Sequence, residues 1–125
     1  MWRPSVENIL RLHEKLIERA GGTGGVRSLP LIESALRRFD TSFEGHEAYP
    51  ALEEKTAAVV CGLIQNHGFL DGNKRVGVEA MRLILTMNRI SIRYTQKELI
   101  SLGLAVAQGK MDVEHVAEWI RTRKT

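Results

Sequence analysis

One cysteine, Cys61, occurs among 125 residues, so no internal disulfide can form and packing must hold the fold. It sits inside the apolar stretch from Ala57 to Ile64, which predicts a buried, inert thiol and not a nucleophile. That stretch is also the longest apolar run, far short of the roughly 20 residues that span a bilayer. The segment Met1-Trp2-Arg3-Pro4-Ser5-Val6-Glu7 has no apolar core of a secretory signal. No membrane contact is expected, and the cytoplasm is the expected location. Blocks of like charge are missing as well: the net charge of +3 and pI near 9.3 come from dispersed Lys and Arg, a weak preference for anionic partners. No helix is rich in Arg, Asn and Gln and no aromatic–basic stripe occurs, so nucleic acid is not an expected partner. His46 and His115 lack partners at metal-ligating spacing, which argues against zinc. Without repeats, low-complexity tracts or a composition break, the chain reads as one domain over residues 1–125, large enough for a single core.

What is present is helical periodicity. Val6, Ile9, Leu10, His13, Leu16, Ile17 and Ala20 recur at helical spacing after Pro4-Ser5, and four glycines in the five residues 21–25 stop that helix. Leu29-Pro30 opens a second helix through Leu36 and Phe39, Asp40 to Tyr49 reads as connection, and Pro50 begins a third. The third turns apolar on all sides from Ala57, which places it at the centre. A fourth, also buried, runs from near Asn73 through Met87. After an extended link at Ile90 to Tyr94, the Thr95 and Glu98 pair has capping-box spacing for a fifth helix, and Asp112 caps a sixth before a tail expected to fray. No run predicts a sheet. The expected fold is an all-α bundle of about six helices, with one unusual loop between its two most buried members.

That loop is His67-Gly68-Phe69-Leu70-Asp71-Gly72-Asn73-Lys74-Arg75. A polar, glycine-bearing loop leading into a core helix is tolerated chiefly where it does chemistry. Gly72-Asn73 at a helix start leaves several N–H groups without intrahelical acceptors, and the dipole adds positive charge there, which makes an anion cradle. Lys74 and Arg75 add two cations suited to phosphate oxygens. Asp71 offers a hard oxygen where a magnesium ion bridging nucleotide phosphates would need one. His67, whose neutral imidazole can take a proton near neutral pH, is the candidate general base. Phe69 is expected to turn inward and anchor the loop. His13, on the apolar stripe of the first helix, reads as a satisfied core or rim residue, and Glu79 and Arg82 as a solvated ion pair.

His-x-Phe-x-Asp-Gly-Asn-Lys-Arg resembles the motif of the Fic/Doc family, fixing seven of nine consecutive positions by type. The resemblance extends to the Leu12-His13 helix, the Gly-rich turn after it and the Gly109 to Arg121 ending. It implies a Fic-like fold with the motif between the two central helices. It also assigns His67 as base, Asp71 as metal and orientation ligand, and Gly72, Asn73, Lys74 and Arg75 as phosphate binders, with ATP or another NTP and Mg2+ as cofactors. Where the AMP-transferring branch typically has glycine and a second arginine, this chain has Lys74 and Val78. Both departures resemble the Doc (death-on-curing) branch, which implies transfer of the terminal phosphoryl group to a protein hydroxyl. A threonine on a translation factor such as elongation factor Tu is the target class so implied. The Ser/Thr-x-x-x-Glu-Gly/Asn inhibitory segment of self-silenced members is not found, so a separate antitoxin is expected. AMP transfer by the same loop, or an inactive binding or regulatory module, remain the alternatives, the intact His67 and Asp71 speaking against the latter.

Overall fold

The computed structural model describes residues 1–125. The fold is all-α: α1 (Val6–Ala20), α2 (Leu29–Arg37), α3 (Leu52–Asn66), α4 (Asn73–Met87), α5 (Gln96–Ala107) and α6 (Val113–Thr122). Local chemistry sets most of the boundaries. Ser5, Ser28, Thr95 and Asp112 each accept an N–H of the first turn that follows, which satisfies a donor the helix cannot. Pro30 lies in the first turn of α2, where its missing N–H costs nothing. Pro50 stays outside α3, whose first residue is Leu52 and whose Glu54 carboxylate accepts the Ala51 amide at 3.2 Å.

α3 is the axis of the molecule: every residue from Lys55 to Ile64 is buried. It packs against α2 on one side, α6 on another, and α4 along its length. Two apolar clusters result, both built on α3 and α4. One adds Leu99, Leu102 and Val106 of α5 and Val116 and Ile120 of α6. The other adds Ile9 of α1 and Ile32, Ala35 and Leu36 of α2. Each fully buried aliphatic side chain here is worth about 1.5–3 kcal/mol. The α3–α4 contact is close because Gly77 has no side chain: a Cβ there would lie 2.4 Å from Ile64 Cγ1. Cys61 is buried, and burial pushes its thiol pKa up to about 11, so it stays protonated and inert.

Two features depart from the periodicity-based expectation. Within the segment read as connection, β1 (Ser42–Phe43) and β2 (His46–Glu47) pair antiparallel. Glu44 and Gly45 both have positive φ, 50° and 80°, as a two-residue hairpin requires. The hairpin is held by the buried Lys55, whose ammonium donates to Glu47 Oε1 at 2.9 Å and to the Phe39 carbonyl at 3.3 Å. The tail, where fraying was expected, is tied down. Arg93 N donates to Arg123 O at 2.8 Å, Thr125 N donates to Ser91 O at 3.1 Å, and Arg123 pairs with Glu98 at 2.8 Å while covering the Trp119 ring.

The capping carboxylates make stability acid-sensitive. The Thr95 amide, then Arg123, hold Glu98 below the usual carboxylate range, and the His115 amide does the same for Asp112. A carboxyl depressed in the folded state contributes fully above its unfolded pKa, about 4, and that contribution disappears as pH falls through the lower folded value. Urea midpoints should therefore hold down to about pH 5 and decline below about pH 4. In Asp112→Asn, which keeps the cap acceptor but cannot titrate, the decline should be shallower; an identical decline would contradict the assignment.

Candidate active site

α3 ends on His67, which adopts left-handed backbone angles, φ 51° and ψ 50°. Non-glycine residues seldom sit there, and when they do the surroundings hold them. Arg27 does so from the opposite segment: its Nε donates to His67 O at 2.6 Å and its Nη2 to Asn66 O at 3.0 Å, closing carbonyls the helix end leaves open. The Arg27 and Ser28 amides both donate to Gly68 O, and Leu70 N donates to Gly25 O, so the glycine-rich segment runs beside the loop in a short antiparallel bridge between Val26 and Phe69. Gly68 must be glycine, since a Cβ would meet Ile32 Cγ1 at 2.4 Å.

The chain then reverses into α4. Gly72 sits at φ 79°, a conformation glycine adopts without strain, and no side chain caps the helix. The first amide of this turn to find a main-chain acceptor is Val76, on Gly72 O. The N–H groups of Asn73, Lys74 and Arg75 are thus left with no protein acceptor, at the positive end of a 15-residue helix. They border a pocket of about 360 Å3 lined by His67, Leu70, Asp71, Gly72, Asn73, Lys74, Arg75 and Ala107. His67 is exposed at its wall and Lys74 at its rim. Six residues singled out in the sequence share this one concavity. Larger hollows exist around Tyr94; of their arginines, Arg82 and Arg123 are paired with Glu79 and Glu98.

Three side chains support the pocket. Phe69 is 2% exposed and lies flat against the His13 ring, centroids 3.9 Å apart. The Asn73 side chain serves the loop. Its carboxamide accepts the Phe69 amide and donates to the Phe69 carbonyl, both at 3.0 Å, which closes the loop on itself. What it can offer an anion is therefore its main-chain N–H. Asp71 accepts the Thr23 amide on Oδ2 at 3.1 Å and its neighbour Gly72's amide on Oδ1 at 2.8 Å. Those two amides, Thr23's first, hold its carboxyl below the usual range.

Each Asp71 oxygen keeps a lone pair, so the carboxylate can still ligate a hard cation. No cluster of three His, Cys, Asp or Glu side chains suited to a metal occurs in the chain. An ion here would have Asp71 as its one carboxylate and take its other ligands from phosphates and water, the arrangement magnesium accepts. Sequence reasoning passed over His13, Thr23 and Arg27 as parts of this site. Each reaches the loop through a main-chain atom at either end of the bond, which leaves no mark on residue type.

No helix is long and apolar enough to cross a membrane. The family model described as the Fic/DOC family matches residues 3–85, a span that contains α1, the glycine-rich segment, the whole motif loop and most of α4. A curated relative, Toxin Doc of Mycolicibacterium smegmatis, is 36% identical over 72 residues, 58% of this chain and 55% of that protein. The chain thus spans about half the length of the curated relative it matches. With the matched span covering most of the residues that build the pocket, the chain belongs to the Fic/DOC family.

Proposed function

We propose that this chain is a Doc-like toxin that transfers the terminal phosphoryl group of ATP or another NTP to a Ser or Thr hydroxyl of a target protein, and that residues 1–125 act as one unit. The observation that carries the reading is the row of unpartnered amides at Asn73, Lys74 and Arg75, facing the same pocket as His67. Such a row, with two cations beside it, suits the oxygens of a phosphate group.

In this reading the β- and γ-phosphate oxygens accept from the three amides, with Arg75 and Lys74 neutralising charge. His67 takes the hydroxyl proton as the hydroxyl oxygen bonds to the γ-phosphorus and the bond to the β–γ bridging oxygen breaks. The nucleoside diphosphate leaves, and the product is a phosphoester on the target. Asp71 would hold a magnesium ion, which would supply positive charge to offset the charge of the phosphates. The two amides on Asp71 keep its carboxylate ionised and oriented for that contact. Lys74 and Val78 in place of glycine and arginine support transfer from the terminal phosphate over transfer of AMP.

The name of the curated relative supports a toxin's role for this chain. A cytoplasmic location, inhibition of translation through a factor such as elongation factor Tu, and silencing by a separate antitoxin segment complete the proposed reading. Incubating the protein with cell extract and ATP labelled separately at the α and γ positions tests the reaction. Label should enter protein from γ alone. Transfer from α alone would establish AMP transfer instead, and no transfer from either would favour an inactive binding module.

A further inference from the structure

Resting on that functional reading, we propose that His13 is a positioning residue: from α1 it fixes the main chain at Asp71, so that the Asp71 carboxylate and the Asn73–Arg75 amides face the pocket. His13 lies 58 residues from Asp71 in sequence, is 3% exposed, and its Nε2 stands 2.7 Å from Asp71 O. A carbonyl only accepts, so Nε2 carries the proton and donates. The partner is a particular carbonyl. Were α4 to continue regularly toward its N-terminus, Asp71 O would be the acceptor four residues before the Arg75 amide. That carbonyl is bonded to His13 on α1 and not to Arg75, so the helix does not wind back one turn and the Arg75 N–H is left for a ligand.

The rest of the contact serves the same end. The His13 ring lies 15° from parallel with the Phe69 ring, so both ends of the loop segment 69–71 rest on one side chain. Gly72, where the chain reverses, passes close to the same imidazole: a Cβ there would lie 3.5 Å from Nε2. The segment that follows α1 then holds the Asp71 side chain itself. Thr23 N–H donates to Oδ2, and Gly22 approaches so closely that a Cβ would stand 2.6 Å from that oxygen. α1 and its glycine-rich extension thus grip the loop at ring, carbonyl and carboxylate.

Two substitutions separate the donor from the ring. His13→Phe keeps an aromatic face against Phe69 and loses the donor; His13→Gln places an amide N–H at similar reach and loses the ring. The 15N-labelled full chain is titrated with inorganic phosphate, and hydrogen exchange is followed at the Phe69, Gly72 and Val76 amides, with the thermal midpoint recorded for each variant. His13→Phe should bind phosphate about tenfold more weakly, the scale of one lost hydrogen bond, with faster exchange at those amides. His13→Gln should restore affinity and protection toward wild type even where its thermal midpoint is the lower of the two. The proposal is overturned if His13→Phe matches wild type, or if His13→Gln is no better than His13→Phe. Should wild type fail to bind phosphate, the functional reading fails, and the exchange comparison alone decides the positioning claim: greater protection in His13→Gln than in His13→Phe supports it, equal protection overturns it.

Discussion

His67→Ala should lower phosphoryl transfer by about 100- to 10,000-fold, the usual worth of a positioned general base, while nucleotide binding persists. In the proposed reaction the phosphate contacts come from α4 and the proton acceptor from the end of α3, so the two losses are separable. A single-turnover rate beside a nucleotide titration reads both. Because His67 sits at φ 51°, alanine adds backbone strain of its own. His67→Asn controls for that, since asparagine tolerates the left-handed region but cannot take the proton. Both variants should be equally slow. Near-wild-type transfer by either would remove His67 from the chemistry.

The largest effect on stability is expected at the α3–α4 contact. Ile64→Ala should cost about 2–5 kcal/mol, because Ile64 is fully buried and its neighbours can collapse only partly. Adding Gly77→Ala to that variant should recover about 1 kcal/mol, since the new methyl enters the space vacated and alanine favours a helix. On its own, Gly77→Ala would bring a methyl within 2.4 Å of Ile64 Cγ1 and lose part of its propensity gain to overpacking. Urea denaturation of the four proteins gives the coupling directly. Simple additivity would show that the close approach at Gly77 does not govern how α4 seats on α3. The same contact has a functional side: it fixes the distance between His67, just past α3, and the amides that open α4.

Ser5, the Thr95–Glu98 pair and Asp112 announce helix starts in sequence because capping is local: donor and acceptor lie three residues apart. The Lys55–Glu47 pair beneath the hairpin was not legible, since nothing local distinguishes a buried lysine in α3 from a solvated one. Nor was the seating of the tail, which depends on the 91–93 link lying beside residues 123–125. At the site, the motif's residue types identified the pocket wall because they are chemically unusual together. They did not tell that the Asn73 carboxamide turns back to Phe69, since the same side chain could serve phosphate or loop equally well. His13 was assigned to a satisfied place on the apolar stripe, and it is satisfied; that its acceptor is Asp71 O is a fact of tertiary structure alone.

In the proposed reaction, nucleotide phosphates rest on the open amides of α4 with their terminal phosphorus beside His67. A crystal structure of the full chain with magnesium and a non-hydrolysable NTP tests it most directly. β- and γ-phosphate oxygens should lie within hydrogen-bond distance of the Asn73, Lys74 and Arg75 amides, with an open path from the γ-phosphorus to the His67 imidazole. A nucleotide seated elsewhere on the molecule, or bound there with its α-phosphorus next to His67, would contradict it.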